Sequence, residues 1–392
     1  MGGAIAMKII IIGGGIAGLS TAIALQKAGL KPLVFERAPE LREVGAGISL
    51  WANALRALDH LGVGDAVRDV AQSPSAAEIR RDNGKRLLRV DYAHFENRDN
   101  LPKTLWMLHR ADLIHTLARF LPRNCLHLDK EFIGLEQDST QVTVRFADGT
   151  TEKADAILGA DGIHSKVSEA LFGKEPTRYS GSTCWRGIAT IAPGIHPHDL
   201  LVETWGIGKR FGITPLSGNR IYWFAVSQEP ANGVDQNGKV EVKMRFENWA
   251  APVPEILENT PEDSIIRNDI IDRPPHRHWS RGRVLLVGDA AHSTTPNLGQ
   301  GGCMAIEDAP VLARCLVEAD SLTTAFATFE NLRYQRTAQV TNTSWRMGYF
   351  AQGATWPVRV ARDWITWLTP PAIAFKQFTG LTSYDTGPIH HL

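Results

Sequence analysis

Apolar and polar residues follow several rhythms along this chain, and each rhythm predicts a different element. Residues 9–12 are an unbroken apolar run that stops at Gly13-Gly14-Gly15, after which Leu19, Ala22, Ile23 and Leu25 recur with helical spacing. The pattern predicts a buried strand, a tight turn and a helix. Residues 31–35 predict a second buried strand, which delivers Glu36 at its end. Residues 52–61 predict a helix, as do residues 109–120 with Leu113, Leu117 and Phe120 on one face. Residues 78–90 alternate around Asn83-Gly84, the signature of a hairpin. Residues 126–135 and 141–146 predict strands, and Asp148-Gly149 turns the second into a buried strand over 154–159.

Between 181 and 227 the strands become rich in aromatic and β-branched residues, and Ser217-Gly218-Asn219 turns the last two into an antiparallel pair. One face of this sheet is expected to carry several of Trp185, Trp205, Phe211, Ile213, Tyr222 and Phe224. These side chains form either packed core or the wall of an apolar pocket in which Arg210 and Tyr222 orient a ligand. Residues 240–249 fit a strand or a helix; the helix is preferred, because it puts Val242, Phe246 and Trp249 on one face with charges filling the gaps. The first rhythm then returns, with a strand at 284–287 ending in Gly288-Asp289, a glycine-rich loop over 296–302, and a helix striped by Ala305, Ala309, Leu312 and Leu316. Residues 325–350 predict a helix, and the tail beyond them is rich in tryptophan and proline. That composition suits packing against another domain, a partner subunit or, as the least favoured reading, a membrane surface, and a dimer contact is the first expectation.

Several of these positions carry candidate chemistry. Gly13 suits a turn with special backbone angles, Gly15 leaves room for a pyrophosphate against the backbone, and Gly18 lets the helix lie close to the strand. Glu36, about 20 residues beyond the glycines, can accept both hydroxyls of an adenosine ribose and repels a 2′-phosphate. The ligand is then FAD or NAD rather than NADP, and these residues do not separate the first two, which share the ADP half. Gly45 and Gly47 make a second passage where backbone approaches a flat ligand, or simply a turn. Arg110 sits near a helix start, where a cation does not help the helix dipole, so it is a surface charge or a cofactor contact. Asp161-Gly162 follows a strand at the place where open α/β sheets line their ligand crevice; a plain turn is the competing reading. Asp289 can accept hydrogen bonds from sugar-like hydroxyls, while N–H groups around 299–302 can face a carbonyl, a pyrophosphate or the charge of a reduced flavin. His292 is read as structural, since no partner at a clear spacing marks a relay. Cys303, at a helix start, is a candidate for a lowered pKa.

The 392 residues carry 42 basic and 42 acidic side chains, a balance that supplies no concentrated basic face for nucleic acid. No charge-free apolar run of about 18 residues predicts a membrane span. Cys125, Cys184, Cys303 and Cys315 lack CxxC spacing, so neither a disulfide scaffold nor a structural zinc is expected, and no metal site is assigned. A cytoplasmic enzyme, monomer or homodimer, is the simplest assignment.

Three stretches in this order and separation carry a resemblance: GGGIAG at 13–18 with Glu36, GADGIHSKV at 159–167, and GDAAHSTTPNLGQGG at 288–302. With them the chain resembles the single-component FAD-dependent aromatic hydroxylases, the group typified by para-hydroxybenzoate hydroxylase. The resemblance implies an α/β fold, with a Rossmann-like FAD-binding domain in segments 7–75, 109–178 and 276–320. A mostly antiparallel β-sheet substrate domain is inserted as 76–108 and 179–275, and a C-terminal helical region follows over 321–392. It implies that Glu36 holds the adenosine ribose, Arg110 the cofactor's linker, Asp161 the cofactor and the nicotinamide-linked chemistry of the groove, and Asp289 the ribityl-pyrophosphate portion. Pro296, Gly299, Gly301 and Gly302 would flank the isoalloxazine, and Arg37 and Gly47 join the cofactor set. Ser168 stands where the family's Asp-Gly stretch commonly ends in arginine.

Within the group the chain looks nearest to bacterial urate hydroxylase, through GKR at 208–210, Tyr222 and HSTTP at 292–296. Urate hydroxylase has an aspartate after that proline and this chain has Asn297, an amide that cannot serve as charge partner or base. That difference argues against urate and leaves other aromatic, heteroaromatic or polyene substrates open. The implied catalytic set is Arg210, Tyr222 and Asn297. The implied reaction is reduction of FAD by NADH or NADPH, formation of a flavin C4a-hydroperoxide with O2, and transfer of one oxygen to the substrate. Epoxidation of a polyene, or a reductase or dehydrogenase reaction without oxygen insertion, are the alternatives.

Overall fold

In the computed structural model, which describes residues 7–41 and 46–389, the strand Lys8–Ile12 runs through the middle of a six-stranded sheet. Its neighbours are Ala156–Gly159 and Lys31–Phe35, both parallel to it. Val284–Leu286 and Leu126–His127 extend the sheet in parallel on either side, and Ser280–Arg281 closes one edge antiparallel. Consecutive Ile9, Ile10 and Ile11 are all fully buried, as expected of a parallel strand covered on both faces. The helix Ile16–Lys27 leaves the first strand through the glycine turn and packs beside the helix Gly301–Glu318.

A seven-stranded sheet is built from two distant parts of the sequence. Its order is Ile266–Asp272, Arg178–Thr190, Arg220–Gln228, Lys209–Leu216, Leu200–Trp205, Ala76–Arg81 and Arg86–Asp91. All pairs are antiparallel except Leu200–Trp205 with Ala76–Arg81. The hairpin predicted around Asn83-Gly84 therefore forms an edge of the same sheet as the aromatic strands. Because side chains alternate along a strand, this sheet has two unlike faces. Trp185, Phe211, Ile213 and Trp223 pack with Val242, Phe246 and Ile256 of the helices Gly238–Phe246 and Val253–Glu258. Tyr222 and Phe224 point the other way, so the expected single aromatic wall is divided between a core and an open face.

Two other expectations change. The stretch 126–135 is not one strand: Leu126–His127 ends the parallel sheet and Phe132–Gln137 belongs to a separate three-stranded sheet. Asp129, with φ of +56°, turns the chain between them. Likewise Thr151–Ala154 stays in the small sheet, and the chain crosses to the parallel sheet only at Ala156. The preference for a helix over a strand at 240–249 holds as far as Phe246, with the Asn237 side chain capping Gly238–Phe246 through the Val240 N–H, while Trp249 lies in the turn beyond it. The tail forms the helices Leu322–Gln352, Trp356–Leu368 and Pro371–Leu381. Among the described residues, no helix is long and apolar enough to cross a membrane.

The glycines of the first turn do different work. Gly13 has φ of +111°, and a Cβ at Gly18 would lie 1.9 Å from the Gly13 carbonyl oxygen. A Cβ at Gly15 would meet nothing within 4 Å. Gly18→Ala is therefore expected to destabilise the fold by about 1–3 kcal/mol, whereas Gly15→Ala leaves thermal unfolding unchanged; scanning calorimetry of the two variants checks the contrast.

Candidate active site

Close approaches at glycine bring the separated motifs to one cleft. A Cβ at Gly13 would lie 2.5 Å from the Ala160 carbonyl oxygen, which joins the first turn to the 159–167 stretch. One at Gly288 would lie 2.7 Å from Ala17 and 3.5 Å from Ala305, so the late loop is seated between the two helices that flank it. One at Gly302 would lie 2.7 Å from Ile48 and 3.9 Å from Ile16, which sets the N-termini of Ile16–Lys27 and Gly301–Glu318 side by side. Neither N-terminus is capped by a side chain, since Gly15 and Gln300 occupy the cap positions without a side-chain hydrogen bond. Two sets of unclaimed N–H donors and two helix dipoles thus face one space, an arrangement suited to a pyrophosphate and an anionic ring edge. Gly299 has φ of +60° and lies against Ser49 and Trp51 of the strand Gly47–Trp51. Gly45 lies outside the described residues.

The charged candidates divide into those already engaged and those open to the cleft. Glu36 accepts hydrogen bonds from the Gly14 N–H at 2.7 Å and the Ala38 N–H at 2.9 Å, one to each oxygen. Each oxygen keeps a further lone pair for a ligand hydroxyl. Arg37 is exposed beside Glu131. Asp161 is committed to its own loop: it accepts from the Ser165 hydroxyl at 2.5 Å and from the N–H groups of Lys166 and Val167 at 2.8 and 3.2 Å. The N-cap of the helix Lys166–Phe172 is Ser165, whose hydroxyl accepts from the Ser168 N–H, and Asp161 adds acceptors for the first-turn N–H groups beside it.

Arg110 and Asp289 are both exposed to the cleft while protein crowds them from other sides. Burial lowers the Arg110 pKa and raises that of Asp289, and each charge partly offsets the shift of the other. The Arg110 N–H donates to the Ala46 carbonyl at 2.9 Å, which fixes its helix to the strand Gly47–Trp51. Pro296 is exposed on the same late loop, and a Cβ at Gly301 would lie 3.9 Å from the Asp289 carboxylate.

The open face of the large sheet forms the opposite wall. Tyr222 packs into the space above Gly47, where a Cβ would lie 2.5 Å from its ring. Burial pushes the Tyr222 phenol up to about 12, against the pull of the Arg186 guanidinium. Arg186 lies across from Phe224 in the neighbouring strand, and its Nε is buried without a hydrogen-bond partner. Sequence reasoning missed this residue, because an arginine between Trp185 and Gly187 gives no sign of what its face adjoins until the register is known.

The three predicted catalytic residues do not form one cluster. Arg210 and Asn297 are joined, Arg210 Nη2 donating to Asn297 Oδ1 at 2.6 Å and Nη1 to Glu203 Oε1 at 3.1 Å. The Asn297 amide in turn donates to Thr295 Oγ1 and the Ser344 carbonyl, both at 3.0 Å. Tyr222 pairs with Thr214, four positions along the strand from Arg210, a separation of roughly 13 Å. A groove of about 680 Å3 between Gly238–Phe246 and Val253–Glu258 lies on the opposite face of the sheet and is not part of this cleft.

Beneath the late loop, fully buried Asp308 accepts from the Gly288 N–H at 2.8 Å and Arg333 Nε at 2.8 Å, and pairs with His292 Nε2 at 2.7 Å. Burial alone would raise the Asp308 pKa, but His292, Arg333 and these hydrogen bonds hold it below the usual carboxylate range. His292 is thereby placed in a structural pair. Cys303 differs from expectation, since burial pushes its thiol up to about 12 despite the helix start.

Comparison with known proteins places this geometry. A profile of the FAD binding domain family matches residues 6–344. An aurachin C monooxygenase/isomerase of Stigmatella aurantiaca is 39% identical over 347 residues, covering 88% of this chain and 90% of that protein. An FAD-dependent urate hydroxylase of Klebsiella pneumoniae is 33% identical over 335 residues, covering 84% and 86%. The crystal structure of Klebsiella pneumoniae HpxO with FAD and uric acid superposes with a TM-score of 0.90 at 29% identity, covering 97% of each chain.

Asp308→Asn leaves Arg333 with one fewer charge partner in a buried site and is expected to cost about 3–5 kcal/mol of stability, with weaker retention of FAD. Because the folded pKa is lowered, the carboxylate stabilises the fold fully above the ordinary carboxylate range and ceases to do so as pH falls through the folded value. The variant should accordingly lose the part of the acid-side decline that Asp308 causes. Thermal unfolding and flavin absorbance across acid pH check both.

Proposed function

Because this chain belongs to the FAD binding domain family and is an FAD-dependent monooxygenase acting on small aromatic or heteroaromatic substrates with O2, we propose that NADH or NADPH is its reductant and that its substrate ring lies between Tyr222, Arg186 and the late glycine loop. The observation that carries this reading is the convergence of the early turn, the strand Gly47–Trp51 and the loop 288–302 on the open face of the sheet. Gly13, Gly15 and Gly18 with the first helix would take the pyrophosphate, Glu36 the adenosine ribose, and Arg110 and Asp289 the linker. Arg37, Gly47, Asp161 and Pro296 would border the cofactor, and the N–H groups of Gly299, Gly301 and Gly302 would face its ring. When bound, FAD supplies the oxygen activation that the family resemblance implies.

The chain's own residues would position and shield. A tyrosine with its pKa near 12 stays a hydrogen-bond donor throughout the neutral range, so Tyr222 can hold a substrate oxygen without ionising. Arg186 offers a cation on the same face, where a substrate oxygen can acquire negative charge as its ring is attacked. Phe224 and Ile188 supply apolar surface that keeps water from the reacting ring. Arg210 is a positioning residue, holding Asn297 and through it the loop after Thr295. The engaged, neutral Asn297 supports a substrate other than urate.

The test is turnover under labelled O2 with NADH and with NADPH across a panel of phenols, N-heteroaromatics and polyenes. Label in the product is expected with a ring substrate; reproducible turnover without label would sink the proposal. Tyr222→Phe is expected to lower kcat/KM about 3–10-fold, and the native pH profile should show no loss from Tyr222 ionisation until about 12.

A further inference from the structure

The helix Trp356–Leu368 is amphipathic in the opposite sense to a surface helix of a soluble protein. Its charged residues face inward. Arg362 is 1% exposed and donates to the carbonyls of Gly206 and Ala351 at 3.1 and 2.7 Å. Asp363, also 1% exposed, pairs with Arg362 and with Arg81 Nε at 2.7 Å, while Arg359 reaches Asp82 at 3.0 Å. These bonds fix the helix against the hairpin Ala76–Asp91 and prevent it from rolling its apolar side inward. Trp356, Val358, Trp364, Ile365, Trp367 and Leu368 consequently stand outward, each at least half exposed.

The same surface continues on both sides. Tyr349 and Phe350 extend it from the preceding helix, and Ile373 from the following one. Nine of the seventeen large apolar side chains that stand exposed among the described residues fall between 349 and 373, so this is one patch rather than scattered exposure. Its own segment is short of acidic side chains. Between Glu330 and Asp385 the sole acidic residue is the buried Asp363; of the basic residues in that span, Arg333, Arg336, Arg359 and Arg362 are held in ion pairs. Arg346 and Lys376 are exposed, and the adjoining hairpin adds exposed Lys85, while its Arg86 and Arg89 pair with Glu78 and its Asp91 is exposed as well.

We infer that this tryptophan face docks on the surface of a bilayer containing anionic lipid, lying in the interface without crossing it. Outward indoles with an exposed basic border match the chemistry of that interface, where the ring sits at headgroup level and cations meet lipid phosphates. A second copy of the chain joined through the same segment would bring no exposed carboxylate of residues 331–384 to meet Arg346 and Lys376. The docked face includes the end of the helix Leu322–Gln352, whose Trp345, Gly348, Tyr349 and Gln352 line a small cavity reaching Arg210 and Asn297. Docking would therefore set that cavity beside the lipid.

The experiment is co-sedimentation of the full FAD-loaded chain with vesicles of phosphatidylcholine alone and of phosphatidylcholine with phosphatidylglycerol. Binding to the anionic vesicles, with a blue shift of tryptophan fluorescence and loss at high salt, is expected. Trp364→Glu with Trp367→Glu should weaken it at least about tenfold while circular dichroism and flavin content stay native, and Arg346→Gln with Lys376→Gln should weaken it without altering either. Absence of binding, or equal binding to both vesicle types, overturns the inference. So does a dimer in light scattering that the tryptophan substitutions dissolve while no vesicles are bound, which would assign the face to a second copy.

Discussion

The cleft depends on a carboxylate that never meets a ligand. Asp308 is buried completely, and its two oxygens hold the Gly288 N–H, His292 and Arg333. Arg333 is fully buried as well and also pairs with Glu307 at 2.8 Å, which in turn accepts from Asn53 at 2.5 Å and Arg336 at 3.1 Å. Charges withdrawn from water to this degree are tolerable only when each is paired and hydrogen-bonded. The network links the long C-terminal helix, the helix Gly301–Glu318, the helix Ala52–Leu61 and the loop that carries Asp289. It thereby sets where the exposed Asp289 carboxylate and the uncapped N–H groups beyond Gly299 stand relative to the first glycine turn.

A second constraint is the alternation of the seven-stranded sheet. Its inward face is filled by stacked Phe211 and Trp223, 5.6 Å between ring centres, and by Phe246 of the covering helix. That packing leaves the sheet rigid, and the other face is free to carry a few polar groups among apolar ones. Tyr222 sits toward one end of this face and Arg210 with Asn297 toward the other, with Arg186 in the row between them. One end adjoins the strand Gly47–Trp51, the other the long helix that ends in the exposed aromatic surface.

Much of this is legible in the amino-acid sequence. Apolar runs such as 9–12 and 284–287 mark strands buried on both faces, and the glycines that end them mark the turns. The helical reading of 240–249 followed from the spacing of Val242, Phe246 and Trp249. What stayed hidden depended on pairing. Asp308 and Arg333 lie 25 residues apart on different helices, and no local pattern says that they meet. Arg186 became a cleft residue only once its strand was registered against Phe224. The division of 126–135 between two sheets turned on the backbone of Asp129, which hydrophobic periodicity does not report. Asp161 was visible as a crevice residue, but that its carboxylate is occupied by Ser165, Lys166 and Val167 was not.

The seat of Tyr222 over Gly47 has a consequence for how this scaffold can diversify. The ring on the sheet fills the volume that any side chain at 47 would require, a Cβ there lying 2.5 Å from the ring. The two positions belong to different segments of the chain, yet position 47 cannot grow unless the side chain at 222 shrinks or moves. Tolerated variation at one is conditional on the residue at the other, and libraries that mutate the sheet alone while keeping Gly47 sample only half of that joint space. Reshaping this end of the pocket is thus a problem in epistasis, in which a larger residue at 47 calls for a smaller one at 222.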